Sequence, residues 1–246
     1  MKNRVIPVLL LKDSGLIKTK KFDNPQYVGD PINAIRIFNQ KEVDEMIFLD
    51  IGASKNNELP NFDLIEDIAS ECFMPLAYGG GVKNLDCAEK LIKVGIEKIV
   101  INSIVLENFG FINELSQNLG SQSVVVSVDI KKSFLGSYRI FSYQRKEYSS
   151  FKLDDFLIEI QDRGAGEIFI NCVDNDGMMS GYDLDLLDRI MKKVKIPIVF
   201  CGGAGSLDDL KKVSSIYDYI GLAAGSLFVF KGPHRAVLIN YPTRDI

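Results

Sequence analysis

The sequence predicts an α/β fold, namely a single (β/α)₈ TIM barrel over residues 1–246 built from two similar half-barrels, about 1–121 and 122–246. Eight short apolar runs alternate with amphipathic segments, a pattern typical of parallel strands covered by helices. The chain length of 246 residues also matches the ~250 residues usual for one such barrel. A doubly wound open sheet is the alternative, but eight repeats favour closure.

The eight predicted strands are RVIPVLLL (4–11), EMIFLDI (45–51), PLAYGG (75–80), KIVINS (98–103), SVVVSVDI (123–130), EIFINCV (167–173), PIVFCGG (197–203) and YIGLAAG (219–225). The segments between them include LDCAEKLIKVG and LDDLKKVSSIY. Their apolar residues recur at intervals of three and four, which predicts amphipathic helices.

An internal repeat predicts the two half-barrels. PLAYGGGVKNLD, starting at Pro75, aligns with PIVFCGGAGSLD, starting at Pro197, at an offset of 197 − 75 = 122 residues. Glu45 and Glu167, at the starts of two other predicted strands, have the same offset. Strands two to four therefore reappear as strands six to eight, so that a binding site duplicated on both sides of the barrel is expected.

Composition argues against several classes of protein. The net charge is −4 with no basic stripe, so a nucleic-acid partner is not expected. The first apolar run is too short to cross a bilayer and leads into Lys12 and Asp13, which indicates a strand of a cytoplasmic protein without a membrane anchor. The spacing of Cys72, Cys87, Cys172 and Cys201 predicts no metal site, and we expect no cofactor. His234 is the only histidine, which argues against nucleophilic catalysis by a Ser-His or Cys-His pair and leaves it a surface or packing role.

Glycine turns at two strand ends predict phosphate binding. Gly79, Gly80 and Gly81 end the third strand, and Gly202 and Gly203 end the seventh, followed by Gly205. In a parallel barrel, backbone N–H groups at such turns can approach an anion, aided by the next helix N-terminus. The next strand ends would complete the two sites with Asn102, Ser103, Gly225 and Ser226. Two opposed sites would suit a substrate phosphorylated at both ends; the alternative is that the glycines only serve tight turns.

Carboxylates at strand ends are the candidate acid–base groups: Asp50, Asp129, Asp174 and Asp176. Asp129 is the strongest, because it ends an apolar strand where a charge is costly unless it is used or paired. The alternative for Asp129 and Asp174 is that they cap the next helix or turn. The half-barrel alignment places Leu10 opposite Asp129, so the sequence has only one of the two opposed carboxylates that a symmetric barrel would use.

The chain resembles the HisF type, the cyclase subunit of imidazole glycerol phosphate synthase, over essentially its whole length. The matching segments are RVIPVL (4–9), Lys18, VGDP (28–31), FLDIGAS (48–54), GGG (79–81), INS (101–103), GSQSVVVSVD (120–129), RGAGEI (163–168), DNDGMMSGYD (174–183) and GGAG (202–205). The resemblance implies a lyase or synthase subunit of a glutamine amidotransferase system, as in histidine biosynthesis. It also implies that Lys18 and Gly177 contact the substrate, and that ammonia from a HisH-like glutaminase enters at the strand N-terminal face and crosses the barrel.

The same resemblance implies an ammonia gate of four charged residues at the strand starts: Arg4, Glu45, Lys98 and Glu167. Alternatively, these charges only mark where the strands meet solvent.

The departure from the family pattern is Leu10, which occupies the position of the first catalytic aspartate, whereas Asp129 matches the second. Segments such as VIPVLLLKDSGLIKT and FKGPHRAVLINYP resemble paralogues encoded with surface-polysaccharide (lipopolysaccharide) genes. That subgroup implies ammonia delivery to a sugar amidotransferase that forms an acetamidino group. Two alternatives stay open: an authentic cyclase of histidine biosynthesis, and a non-catalytic activator of a glutaminase.

Overall fold

The strands were located in a computed structural model that describes residues 3–56 and 58–242. In chain order they are β1 (Arg4–Lys12), β2 (Gly15–Lys20), β3 (Asp23–Gly29), β4 (Met46–Asp50), β5 (Leu76–Gly79), β6 (Lys98–Ile101), β7 (Val124–Lys132), β8 (Tyr138–Ser142), β9 (Glu147–Tyr148), β10 (Glu167–Cys172), β11 (Ile198–Cys201), β12 (Ile220–Ala224), β13 (Phe230–Lys231) and β14 (Ala236–Val237). Every one of the eight predicted runs contains a strand. The proposed single domain over 1–246 stays a prediction, and residues 1, 2, 57 and 243–246 lie outside the described residues.

Eight of these strands form a closed parallel barrel. Their order is β1, β4, β5, β6, β7, β10, β11 and β12, and β12 pairs with β1 again. All eight neighbouring pairs are parallel. The predicted (β/α)₈ fold is therefore confirmed, and the open-sheet alternative is wrong because β7 and β10 close the ring.

Each barrel strand is followed in the chain by at least one helix. The helices are α1 (Pro31–Gln40), α2 (Ile51–Asn56), α3 (Phe62–Glu71), α4 (Leu85–Lys93), α5 (Gly110–Leu119), α6 (Leu153–Asp162), α7 (Leu184–Met191), α8 (Leu207–Ser214) and α9 (Ser226–Val229). Short 3-10 turns occur at Ser103–Leu106, Ser121–Ser123 and Val173–Asn175. The two predicted amphipathic segments form α4 and α8, which each bury an apolar face against the barrel. No helix within the described ranges is long and apolar enough to cross a membrane.

Alternation along the strands separates two layers of core. One set of side chains fills the barrel interior and includes Ile6, Val8, Ile47, Val100 and Phe169. The other set packs between the barrel and the helices. Because side chains on a strand alternate in direction, residues 4, 6, 8 and 10 of β1 point inward, as do residues 167, 169 and 171 of β10. The charged residues Arg4 and Glu167, at the starts of these strands, thus face the lumen.

Antiparallel excursions at the carboxyl ends of two barrel strands were not predicted. β2 pairs with β1 and β3, and β8 pairs with β7 and β9. Lys18, which the sequence places in a loop, lies on β2 and is buried. The physical reason is that Leu16 and Ile17 are buried beside the end of β1, so the apolar first loop continues the sheet instead of running through solvent.

Candidate functional site

The four charged residues at the strand starts form a closed ring of ion pairs. Arg4 donates to both Glu45 and Glu167, and Lys98 Nζ lies 2.7 Å from Glu45 Oε1 and 2.9 Å from Glu167 Oε2. Both carboxylates are buried, whereas the side chains of Arg4 and Lys98 are 30% and 20% exposed. Each acid therefore contacts both bases, and the ring covers the amino-terminal end of the lumen.

The electrostatics of the ring keep Arg4 charged. Burial acts to lower the pKa of Arg4, but the nearby carboxylates of Glu167 and Glu45 outweigh it, so that the pKa is raised. A buried carboxylate stripped of one partner would leave an uncompensated charge, which is costly. The ring is thus a cooperative unit in which each pair depends on the others.

Asp129 lies at the opposite, carboxyl end of the lumen and is 8% exposed. Burial raises the pKa of Asp129 to about 7, against the effect of hydrogen bonds from Asn102 and Asn171. The Asn102 Nδ2 to Asp129 Oδ2 distance is 2.8 Å, and Asn171 is its register partner on β10. With a pKa near neutral, this carboxyl group can both accept and donate a proton.

Leu10 ends the inward row of β1 and lies half-buried beside Leu49 of β4 and Ile17 of β2. In barrel order, three strands lie between β1 and β7 in either direction, so Leu10 and Asp129 belong to opposite walls. The wall facing Asp129 therefore presents an apolar side chain where a second carboxylate would be needed for paired acid–base chemistry.

The other predicted carboxylates have local partners. Asp50 Oδ1 accepts from the N–H groups of Gly52 and Ala53, both at 2.9 Å, at the start of α2. Burial raises the pKa of Asp50 although these bonds oppose it. Asp174 Oδ2 accepts from Lys132 N at 2.7 Å. Asp50 thus caps α2, Asp174 accepts from the last residue of β7, and Asp129 accepts from the side-chain amide of Asn102.

The two glycine turns occupy equivalent places in the two half-barrels. Gly80 (φ 118°) packs against the carbonyl of Asp50, and Gly202 (φ 105°) packs against the carbonyl of Cys172. A Cβ atom added at Gly202 would lie only 2.6 Å from the Cys172 carbonyl oxygen. Asp50 and Cys172 are themselves 122 residues apart. Any side chain at either glycine would collide with the preceding strand, so glycine is required at both turns. Gly81 and Gly203 also have positive φ angles, 71° and 112°.

The second turn differs from the predicted anion site in one respect. Asp209 Oδ2 already accepts the N–H groups of Gly205 and Ser206, both at 2.9 Å, in the capping box of α8. These two N–H groups, which precede α8, are therefore engaged by a carboxylate of the protein. The backbone of Gly202, Gly203 and Gly225, which lines one small cleft, is what remains for an anion.

A buried cation lies beside this second turn. Lys18 is 6% exposed, its Nζ donates to the carbonyl of Val8, and an added Cβ on Gly225 would collide with it. Burial lowers the pKa of Lys18 to about 8, although Asp176 acts to raise it. Asp176 accepts from Thr19 Oγ1 at 2.7 Å. Burial raises the pKa of Asp176 as well, against this hydrogen bond and others. Lys18 and Asp176, far apart in sequence, are thus brought together.

The predicted residues of the first site also converge. Asn102 and Ser103 follow β6, next to the Gly80–Gly81 turn that follows β5. Gly177 and Ser226 lie at the second turn, where both contact Arg235. Within the described ranges, no three His, Cys, Asp or Glu side chains are grouped so that they could hold a metal ion.

Two residues of this region were missed by sequence reasoning. Asn171 is 8% exposed, and its Oδ1 is buried without a hydrogen-bond partner among the described residues. Its inward direction follows from the alternation that starts at Glu167, so the signal was present. Arg235 lies beyond the last predicted strand, on the turn between β13 and β14, and no sequence periodicity points to it. The exposed position of His234 beside it agrees with a surface role.

Comparison with known proteins gives one family. Residues 4–233 match the family model described as histidine biosynthesis protein. A protein of Leptospira borgpetersenii is 49% identical over 98% of this chain and 96% of its own length. One of Pseudomonas aeruginosa is 50% identical over 98% and 96%. Both are named, provisionally, as HisF subunits of imidazole glycerol phosphate synthase. The imidazole glycerol phosphate synthase subunit HisF of Dictyoglomus thermophilum is 37% identical over 92% of this chain and 90% of its own length.

Proposed function

Because this chain belongs to the histidine biosynthesis protein family and is HisF-like, we propose that it is the synthase subunit of a glutamine amidotransferase. It takes ammonia from a HisH-like glutaminase as a heterodimer, conducts it through the barrel, and supplies it for amidination of a sugar in surface-polysaccharide biosynthesis. The observation that carries the proposal is the pairing of an intact charged ring at one end of the lumen with a missing carboxylate, at Leu10, at the other.

The ring supports the ammonia step. Its four members lie at the amino end of an apolar lumen that includes Ile6, Ile47 and Phe169. Ammonia is small and uncharged, so an apolar passage costs it little, whereas ions pay a large desolvation penalty there. Entry requires that at least one of the ion pairs opens, and the partly exposed cation Lys98 is the member best able to move. A docked glutaminase would supply the competing contacts.

The mouth supports a phosphorylated ligand. Both glycine turns keep the backbone geometry that lets an anion approach N–H groups, and Lys18 adds a buried cation at the second turn. Asp129 remains available for one proton transfer. These groups suit binding and partial chemistry of a phosphorylated substrate, but the opposed acid–base pair is incomplete.

Leu10 supports transfer of ammonia to a separate acceptor. A leucine side chain can neither take nor give a proton, and loss of one acid or base typically lowers a rate by ~10²–10⁴-fold. A barrel that keeps the charged ring at the lumen entrance but has lost half of its acid–base pair is better suited to conduct ammonia than to cyclise a substrate. The sugar amidotransferase would then dock at the carboxyl-end mouth.

A second candidate function is the authentic cyclase reaction of histidine biosynthesis. The specific observation that favours it is the carboxyl group of Asp129, whose pKa is raised by burial to about 7. A single group of that pKa could act first as base and then as acid. The two candidates differ in how fast the isolated chain consumes the bisphosphorylated ribulosyl substrate in the presence of ammonium.

The test uses the glutaminase encoded beside this chain. Size-exclusion chromatography at micromolar concentration is expected to show a 1:1 complex in which glutamine hydrolysis is accelerated. Lys98→Met is expected to change the coupling between hydrolysis and ammonia delivery, whereas Lys93→Met, on the exposed face of α4, leaves it unchanged. Absence of both complex and acceleration would refute the proposal. Acceleration without delivery of ammonia to any acceptor would favour the non-catalytic activator instead.

A further inference from the structure

Arg235 reaches the second glycine turn from outside the eight strand–helix units. It lies on the turn between β13 and β14, where its N–H donates to the carbonyl of Gly232 at 3.1 Å. Its Nη1 donates to the carbonyl of Gly177 at 2.9 Å, and its Nη2 donates to Ser226 Oγ at 3.2 Å. Gly177 and Ser226 both belong to the second predicted phosphate site. A surface hairpin therefore delivers a guanidinium group to the rim of that site.

The guanidinium group is held but not satisfied. Its plane lies over the ring of Phe230, with 4.6 Å from Cζ to the ring centroid, so the fork is fixed in orientation. Its Nε is buried and has no hydrogen-bond partner among the described residues. A buried donor without an acceptor is unfavourable, and more so on a charged group. Arg235 also has a positive φ of 50°, which is uncommon for a residue with a side chain.

The local charges leave room for an anion. Lys18 lies against Gly225, and Arg235 contacts Gly177 and Ser226, so two cations border the turn. Both cations act to lower the pKa of Asp176. Its Oδ2 is already hydrogen-bonded by Thr19 Oγ1 and by Phe22 N. Asp209, the other carboxylate at this turn, accepts from the N–H groups of Gly205 and Ser206. Two cations beside a glycine backbone form an arrangement that suits a phosphate group.

We infer that Arg235 is an anion clamp of the second glycine turn, donating from its guanidinium fork to the phosphate of a phosphate monoester. The inference rests on the proposed function, because it extends the phosphate site of that proposal by a residue that lies outside the eight strand–helix units. In the absence of ligand, the fork is held by the Gly177 carbonyl and the Ser226 hydroxyl. With ligand bound, a phosphate oxygen takes over at least one of these donors and Nε, since a guanidinium group can bind phosphate in a bidentate manner.

Arg235 makes the two turns unequal. The first turn, at Gly80 and Gly81, is bordered by the backbone carbonyls of Asp50 and Glu58, and the contacts of the Arg235 guanidinium are all with the second turn and with Phe230. The clamp therefore predicts tighter anion binding at the second turn than at the first. It also makes the first turn an internal reference for any change at Arg235.

The experiment measures anion binding at each turn separately. Inorganic phosphate is titrated into the full chain by calorimetry, and crystals are soaked in selenate, whose anomalous signal gives the occupancy of each turn. Arg235→Gln, which removes the charge and keeps a donor, is expected to weaken binding at the second turn about tenfold to a hundredfold. Arg235→Lys keeps the charge without the fork and is expected to lose less. Lys231→Ala removes an exposed cation from the same hairpin and is expected to leave the affinity unchanged.

The outcomes separate the clamp from the phosphate site itself. A fall confined to the second turn, with the thermal midpoint of Arg235→Lys close to that of the unmodified chain, supports the clamp. Equal occupancy of the second turn with and without the Arg235 guanidinium overturns it and leaves the proposed function standing. An equal fall at both turns also overturns it, because a clamp acts at one turn only. Selenate at neither turn of the unmodified chain overturns the proposed phosphate binding and the clamp together.

Discussion

Replacement of Asp129 by asparagine is expected to change how stability depends on pH. Burial raises the folded-state pKa of this carboxyl group to about 7 from its ordinary value of 3.8. Because folding favours its protonated form, its contribution to stability is fully present below about pH 4 and is lost as the pH rises through about 7. The difference in pKa between the unfolded and folded states corresponds to about 4 kcal/mol of free energy.

Asparagine keeps the shape and an oxygen for Asn102, and it does not ionise. Asp129→Asn should therefore be increasingly stabilised relative to the unmodified chain as the pH rises, by about 2–3 kcal/mol between pH 5 and pH 8. The assay is urea unfolding followed by far-ultraviolet circular dichroism at both pH values, with the difference in free energy of unfolding extrapolated to water. Asp67→Asn, at an exposed position of α3, is the matched control and should show no such trend.

A constant stability difference between Asp129→Asn and the unmodified chain at both pH values would refute the reasoning. It would mean that the folded and unfolded states bind the proton at Asp129 equally well. The carboxyl group would then be ionised at neutral pH, and the argument that it can donate as well as accept a proton in the mouth would fail with it.

Three further predictions concern the mouth, the ring and the second turn. Leu10→Asp is expected to raise ammonium-dependent consumption of the bisphosphorylated ribulosyl substrate by up to ~10²–10⁴-fold, whereas Leu10→Asn should not. The rate is measured from the loss of substrate absorbance. Turnover by the unmodified chain as fast as that of an authentic cyclase would contradict this prediction. Glu167→Gln is expected to lower the free energy of unfolding by about 3 kcal/mol because it breaks buried ion pairs. The control Glu159→Gln, in an exposed pair, should lower it by less than about 1 kcal/mol. Equal losses in urea unfolding would count against the ring. Gly203→Ala should lower the thermal midpoint and abolish phosphate binding at the second turn, because the added Cβ would collide with the backbone. The control Gly232→Ala has open space around it and should carry only the smaller penalty of a positive φ, ~1 kcal/mol. Similar losses in the two variants would contradict the steric argument.

Much of the fold follows from local patterns. The eight apolar runs define the strands because a strand buried on both faces needs continuous apolar residues. The 122-residue offset identifies Gly80 and Gly202 as equivalent, and both turn out to pack on equivalent carbonyls. The inward rows follow from alternation once one member is known, so that Glu167 predicts the direction of Asn171.

The ring of Arg4, Glu45, Lys98 and Glu167 required a comparison as well as a pattern. Each residue alone is a charge at a strand start, which is common at a solvent boundary. Their convergence depends on the stagger of four strands around the closed barrel, and no single segment encodes it. The resemblance named the four residues, and the ion pairs show that they contact one another.

The sequence by itself determined the strand–helix alternation, the half-barrel repeat, the glycine turns and the loss of a carboxylate at Leu10, because each of these is a property of residue type and spacing. Only the tertiary structure decided that Asp50 caps a helix, that Lys18 lies on a buried strand, and that Arg235 reaches the second turn. Those properties depend on contacts between segments distant in the chain: Arg235 meets Gly177 across 58 residues. The partners of a polar side chain are set by packing, and a pattern of residues along the chain does not contain them.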